Sequence, residues 1–243
     1  MGLCQPNSKA PVSCGACCGI FNLQLNSNEF KNLLHERTVQ FRNSVDFKKP
    51  YTMAEYRKQR ESSENNIPRK DPLTYNCPFL GILPGHEEDA TSDRASLRAR
   101  IGCMIHPIYS GDPKSQNYSF YGASICQTYD CRNKERSTSD QWEVIFSEIA
   151  SDTFSYSSLA SDYKTIELIE GYLKEQNIPE TEWFERYRDS IKGILKRKLE
   201  LGVAKWNTSF ELEMESPPPI SFADRLKLWL GEIPELKRNQ SLV

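Results

Sequence analysis

The sequence predicts a mostly α-helical protein with irregular loops, in which a small cysteine-rich domain precedes a helical C-terminal region. Three observations predict this class. All eight cysteines lie between Cys4 and Cys131. Residues 1 to about 132 are rich in Gly, Pro, Asn and Ser, which punctuate regular structure. From about residue 138 onward, apolar side chains return at helical spacing. The boundary therefore falls near Arg132, dividing the chain into 1–132 and 133–243. A length of 243 residues suits one generous domain or two small ones.

Within the first part, Asn26-Ser27-Asn28-Glu29 supplies an N-cap with a Glu three residues on. Phe30, Leu33, Leu34 and Phe41 follow near helical spacing, so a short amphipathic helix is expected directly after the first cysteines. Residues 43–76 are polar and broken by Pro50, Pro68 and Pro72, with Thr52–Arg60 expected to make a helical turn or two. Pro84 to Arg100 reads as a second excursion. Cys77–Leu80, Ile101–Ile105 and Tyr118–Ile125 are short apolar pieces with the character of small strands.

The second part contains three helical stretches: Ser139 to about Tyr156, Asp162–Gln176, and Pro179 to about Lys205. Trp142, Ile145, Phe146, Ile149 and Phe154 line one face of the first. Trp183, Phe184, Tyr187, Ile191, Ile194, Leu195 and Leu199 line one face of the third. After Ser216-Pro217-Pro218-Pro219, Ser221–Leu230 reads as a last amphipathic helix carrying Phe222, Leu226 and Trp229, expected to dock as a cap.

Charge and hydropathy narrow the function. Thirty-one basic against 33 acidic side chains leave a net charge of −2, so no global field draws nucleic acid or anionic lipid, and no nucleic-acid partner is expected. No 18-residue apolar run is present and the mean hydropathy is −0.63, so no spanning helix is expected. The first residues lack a basic flank followed by an apolar core, so no signal peptide is expected and a reducing cytoplasm is the expected compartment. Disulfides are disfavoured there, and clustered cysteines point to metal binding or redox chemistry.

Cys14-Gly15-Ala16-Cys17-Cys18-Gly19 is the most specific local signal. Two thiolates separated by two residues can turn onto one metal, and Gly15 leaves room for a tight turn. Adjacent side chains leave the backbone in different directions, so Cys17 and Cys18 are more easily placed on two metals, or on two edges of one cluster. Cys77 before Pro78, Cys103 after Gly102, and the pair Cys126/Cys131 would complete the donors, and eight thiols suffice for two four-ligand sites. Any one of Cys4, Cys77 or Cys103 can instead be a small core residue, but core filling poorly explains a C-x-x-C-C and a C-x4-C in one domain. All-thiolate donor sets suit zinc and iron–sulfur clusters alike.

The run Cys14–Cys18, the acidic helix start at Glu29, Cys77-Pro78-Phe79-Leu80, Gly102-Cys103-Met104-Ile105 and the pair Cys126/Cys131 together resemble the YkgJ-type cysteine-cluster family. The resemblance covers about residues 4–131. It implies a small cysteine-rich domain that chelates zinc or iron, with Cys14, Cys17, Cys18, Cys77, Cys103, Cys126 and Cys131 on the family's motif positions. Cys4 departs from it, because the family places its first cysteine three residues before the C-x-x-C-C, where this chain has Pro11. The family's Arg-Pro pair is also replaced, by His106-Pro107 and a long polar insertion. Related domains occur beside a protein lysine N-methylase associated with an iron–sulfur cluster, which tilts the expected cofactor toward such a cluster, with zinc the close alternative.

His106 follows Cys103 at C-x-x-H spacing and is either a nitrogen ligand or, the preferred expectation, a turn histidine bonded to backbone. His35 and His86 are expected in solvent. Tyr129 and Asp130 lie between two candidate ligands, where a hydrogen bond to a thiolate is one role open to them. Glu87-Glu88-Asp89 and Arg94–Arg100 are expected to be solvated loop charge. Lys192, Lys196, Arg197 and Lys198, interspersed with Glu185 and Glu200, are expected on an exposed helical face. No phosphate loop, H-E-x-x-H or G-x-S-x-G is present. The sequence thus leads to a metal-binding protein whose centre is structural or carries electrons. A cluster-dependent enzyme acting on a protein or small molecule, and a zinc-scaffolded module for a protein partner, are the alternatives.

Overall fold

A computed structural model describes residues 3–6, 12–70, 76–84, 100–119, 133 and 135–202. Those residues are mostly helical with irregular connections. Among them are eight α-helices: α1 (Ser27–Ser44), α2 (Tyr51–Ser63), α3 (Pro107–Ser110), α4 (Ser139–Ile149), α5 (Thr153–Ser161), α6 (Tyr163–Glu175), α7 (Glu180–Arg186) and α8 (Arg188–Gly202). One antiparallel pair, β1 (Leu80–Ile82) and β2 (Ile101–Cys103), accompanies them. None of the helices is long and apolar enough to cross a membrane.

Helix α1 begins where the sequence places it. Asn26 accepts from the backbone N–H of Asn28 and Glu29, while Glu29 accepts from the N–H of Asn26, closing a reciprocal cap. Its buried face is Phe30, Leu33, Leu34, Arg37, Thr38 and Phe41. Helix α2 is longer than the turn or two expected of Thr52–Arg60. Pro50 sits at its N-cap, where a missing N–H costs nothing, rather than breaking it. Met53 and Tyr56 on α2 meet Phe41 and Phe79, with Tyr56 edge-on to Phe41 at 5.3 Å between ring centres.

The strands are displaced from two of the expected apolar pieces. Leu80 pairs with Cys103, Gly81 with Gly102 and Ile82 with Ile101. Cys77–Phe79 precede β1 as a turn, because the N–H of Leu80 is bonded back to the carbonyl of Cys77. Ser115–Tyr118 forms a 3-10 turn, and 120–125 lie outside the described residues. The pair is pressed between layers. A Cβ on Gly81 would come within 2.5 Å of Met104 Sδ, and one on Gly102 within 2.9 Å of Ser13 Oγ.

The second half folds into more, shorter helices than its apolar periodicity suggests. The expected Ser139–Tyr156 helix divides because Ala150 is extended and Asp152 caps a new helix at the N–H of Ser155. Phe154 therefore leaves the stripe of Trp142, Ile145 and Phe146 and packs against Phe30, with ring centres 5.1 Å apart. Asp162 caps α6 as its position in the sequence foretells. The expected Pro179–Lys205 helix divides at Tyr187, and its residues beyond 202 lie outside the described ones, as do the 221–230 segment and the cut near Arg132.

Two apolar cores result. One gathers Ile20, Phe21, α1, α2 and the strand pair; the other gathers Trp142, Phe146, Tyr156, Ile169, Trp183, Ile191 and Leu195. The second also contains Leu3 and Val12, which come from the cysteine-rich end of the chain. Tyr156 Oη donates to the carbonyl of Leu3 at 2.9 Å, and the N–H of Gly15 donates to Ser157 Oγ at 2.9 Å. Helix α5 thus touches both cores.

Candidate metal centre

Three backbone turns bring cysteines together. The first is the 3-10 turn Ala16–Cys18, closed by Gly19 N–H to the carbonyl of Ala16 at 2.9 Å. Gly19 has φ 73°, a left-handed conformation that glycine adopts without a Cβ penalty. In the second, the N–H of Cys77 donates to the carbonyl of Cys18 at 2.9 Å, binding the Cys77 turn to the Cys18 turn. The third follows β2, where the N–H of His106 donates to the carbonyl of Cys103 at 3.1 Å, and the N–H of Met104 donates to the carbonyl of Phe79 at 2.9 Å.

At the meeting point, the buried Cys18 thiol is in hydrogen-bond contact with Cys103, Cys17 and Cys77. Those contacts with neutral thiols, followed by burial and the nearby Cys17, push its pKa well above the ordinary thiol value. Cys17 and Cys18 therefore neighbour each other in one group, an arrangement that agrees with two edges of one cluster and not with two separate metals. The tight 3-10 turn, in place of extended backbone, lets consecutive side chains converge.

Cys14 borders both cores, beside Cys17 on the first, and Cys4 adjoins it. The N–H of Cys14 donates to the carbonyl of Cys4 at 3.0 Å, and both thiols act on the Tyr156 phenol. Burial first, and then Cys14, Glu143 and Cys4, push that phenol far above its ordinary value. Cys126 and Cys131, with Tyr129 and Asp130, lie outside the described residues, as do His86, Glu87-Glu88-Asp89 and 94–99, whereas Arg100, expected in solvent, is 3% exposed because its guanidinium bonds the Pro6 carbonyl and Gln5.

The four-cysteine group rests on a buried polar layer that the sequence analysis did not single out. Arg37, 1% exposed, uses all five of its N–H groups. Nε donates to Glu64 Oε1 at 2.9 Å, Nη1 to the carbonyls of Cys77 at 3.1 Å and Leu80 at 3.4 Å, and Nη2 to Asn76 Oδ1 at 2.6 Å and to Glu64 Oε2. Asn76 Nδ2 in turn donates to the carbonyl of Gly19 at 2.9 Å. Burial pushes the Glu64 carboxyl up, but Arg37 and Arg60 outweigh it and hold it below the usual value. A signal existed. Arg37 occupies the α1 face otherwise lined by Phe30, Leu33, Leu34 and Phe41, and an arginine on an apolar face needs buried acceptors.

Comparison with protein-family models, curated proteins and solved structures gives no match to this chain.

Among the described residues, no group of three or more His, Cys, Asp or Glu side chains is placed so that it could hold a metal ion. Cys18 is the shared neighbour of Cys17, Cys77 and Cys103. His106 takes the backbone role expected of it, capping α3 by accepting from the N–H of Ile108 at 3.3 Å through Nδ1. Burial, with Arg100 nearby, lowers its pKa to about 4, so the ring is neutral near pH 7. His35 is exposed, as expected. Lys198 departs from expectation. It is 5% exposed, ion-paired with Asp162 and bonded to Thr165, because α8 presents that position to α6 rather than to solvent. A cavity of about 450 Å³ lies between Leu23, Phe30, Lys70 and Phe154, and no cysteine lines it.

Proposed function

We propose that this chain is a thiolate metal-binding protein whose first centre is a single zinc-like ion held by Cys17, Cys18, Cys77 and Cys103. The observation that carries this reading is the backbone bonding that sets the Cys18, Cys77 and Cys103 turns side by side, with Cys18 the neighbour of the other three. Four sulfurs at metal–sulfur distances of about 2.3 Å around one tetrahedral ion stand about 3.8 Å apart, close to thiol–thiol hydrogen-bond contact. Cysteines on different irons of an iron–sulfur cluster stand farther apart than the ligands of one ion. Compactness therefore favours one ion over a cluster here, reversing the tilt that the sequence resemblance implies.

A bound ion would replace the thiol protons, fix the three turns as one unit, and supply a structural crosslink between the N-terminal turn and the strand pair. The chain's own residues prepare this. Arg37 and Asn76 hold the backbone carbonyls around Cys18 and Cys77, so the donors are positioned by a network that needs no metal. With four thiolates and no open position the centre is a scaffold, which favours a structural role over catalysis. Cys14, Cys126 and Cys131, which the YkgJ-type resemblance implies as donors, would supply a second set, with Cys4 the fourth thiol available although it departs from the family's position.

The test is metal and acid-labile sulfide analysis of protein purified without oxygen, with Cys18→Ser beside the unsubstituted chain. The expected result is a colourless protein with stoichiometric zinc that Cys18→Ser reduces. Iron with sulfide and broad visible absorption would overturn the single-ion reading, and zinc retained in full by Cys18→Ser would overturn the ligand assignment.

A further inference from the structure

The residues that flank Cys4 and Cys14 are fastened to one helix. Tyr156 Oη donates to the carbonyl of Leu3, and the N–H of Gly15 donates to Ser157 Oγ, both at 2.9 Å. Consecutive residues of α5 therefore hold the residue before Cys4 and the residue after Cys14. Their other neighbours are fixed as well. Ser13, fully buried, donates through Oγ to the carbonyl of Ile101 at 2.6 Å, and Gln5, 2% exposed, accepts from Tyr109 Oη at 3.1 Å. Between these anchors the N–H of Cys14 donates to the carbonyl of Cys4 at 3.0 Å. Such a bond keeps two Cα atoms about 5–6 Å apart, inside the range of about 4.4–6.8 Å that a disulfide spans.

Burial alternates in the same way along both stretches. Cys4 and Cys14 are half-buried, while Leu3, Gln5, Ser13 and Gly15 on either side of them are buried. A small reagent therefore has access to these two cysteines while the backbone that carries them stays in place. Cys17, also half-buried, is directed elsewhere, because it lies in the 3-10 turn beside Cys18.

We propose that Cys4 and Cys14 are a dithiol site that a low-molecular-weight disulfide, such as glutathione disulfide, oxidises reversibly. The inference goes beyond the metal-binding reading and does not need it. In the first step one cysteine sulfur attacks the glutathione disulfide, forming a mixed disulfide and releasing one glutathione. In the second, the other cysteine sulfur attacks the mixed disulfide, closing the Cys4–Cys14 bond and releasing the second glutathione. The two cysteines lose two electrons to the glutathione disulfide, and their two protons end on the two glutathione thiols. In a reducing compartment such a bond is transient and reports an oxidant instead of serving as a permanent staple. Its closure ties the first residues of the chain covalently to the turn that begins at Gly15, and withdraws Cys14 from any second set of metal donors.

The experiment equilibrates the full chain, as purified and after chelation, with graded mixtures of reduced and oxidised glutathione. Samples are quenched with acid, alkylated in denaturant, digested with trypsin and read by mass spectrometry. Trypsin cuts after Lys9, between the two cysteines, so peptides 1–9 and 10–31 stay joined only through a disulfide, and fragmentation shows which cysteine of 10–31 is linked. The expected result is that a Cys4–Cys14 crosslink, removed by dithiothreitol, is the first disulfide to form. Its equilibrium constant in the folded chain is expected to exceed that in urea by about tenfold or more. Any other first disulfide, Cys14–Cys17 above all, overturns the assignment. So does an equal constant in the folded and urea-unfolded chain, or no crosslink in the chelated protein. A crosslink that forms only after chelation supports the site and adds one of its cysteines to the metal donors. If the chain takes up no zinc, the metal-binding reading falls and this inference stands.

Discussion

Replacing Arg37 by lysine tests how the candidate site is held in place. The guanidinium satisfies five acceptors: two oxygens of Glu64, the carbonyls of Cys77 and Leu80, and Asn76 Oδ1. A lysine ammonium has three donors radiating from one point, so at least two of the five bonds are lost. Glu64 Oε1 keeps Arg60 and the Cys77 carbonyl keeps the Leu80 N–H, which leaves Glu64 Oε2, the Leu80 carbonyl and Asn76 Oδ1 as the acceptors exposed to the loss. Each orphaned group costs about 1–3 kcal/mol, and Arg60 still neutralises Glu64, so no charge is stranded. The expected loss for Arg37→Lys is therefore about 3 kcal/mol, read as a lower urea midpoint of metal-free protein with an unchanged slope. Arg186→Lys is the control. Its pair with Glu182 is exposed, and the expected change is below about 0.5 kcal/mol. Because two of the lost bonds end on the Cys77 turn, thiol alkylation at Cys77 should also quicken. A loss under about 1 kcal/mol for Arg37→Lys would refute the claim that this network fixes the turn.

Two further perturbations follow from the structure. His106 falls from an unfolded value of 6.5 to about 4, so the native state binds fewer protons than the unfolded chain between those limits. Its contribution is complete above pH 6.5 and is lost as pH falls toward 4, about 2 kcal/mol after allowing for partial exposure. His106→Asn keeps a side-chain acceptor for the Ile108 N–H and should flatten stability across that range; an unchanged acid slope in urea titrations would contradict the assignment. Phe154→Ala removes the ring that α5 sends to Phe30 and Phe21 and should cost about 2 kcal/mol, below the range for a fully buried aromatic. Two separate unfolding transitions in calorimetry of the unsubstituted chain would show that the bridge does not couple the cores.

Local signals were legible in proportion to how local their causes are. The cap at Asn26, the helix start at Asp162, and His106 as a turn residue depend on atoms within a few residues. The apolar stripe of Trp142, Ile145 and Phe146 was readable for the same reason. The helix breaks at Ala150 and Tyr187 were not, because the apolar period continues across them and only packing against other helices decides where the chain turns. The burial of Lys198 depends on Asp162, 36 residues earlier, which no periodicity reveals. At the candidate site, the cysteine positions announced clustering, but which thiols meet depends on the Cys77-to-Cys18 backbone bond and the strand register.

The anchoring of Leu3 by Tyr156 sets an order of events during synthesis. That hydrogen bond closes a separation of 153 residues, and Leu3 and Val12 lie in a core whose other members come from positions 142 to 195. At translation rates of about 5–20 residues per second, the first cysteines leave the ribosome on the order of ten seconds before their packing partners. Through that interval the thiols of Cys4 and Cys14 belong to an open chain, reachable by oxidants, chaperones or metal donors. The closing of α5 over Gly15 and Leu3 ends this exposure, so a helix made about 140 residues later acts as the latch on the first residues.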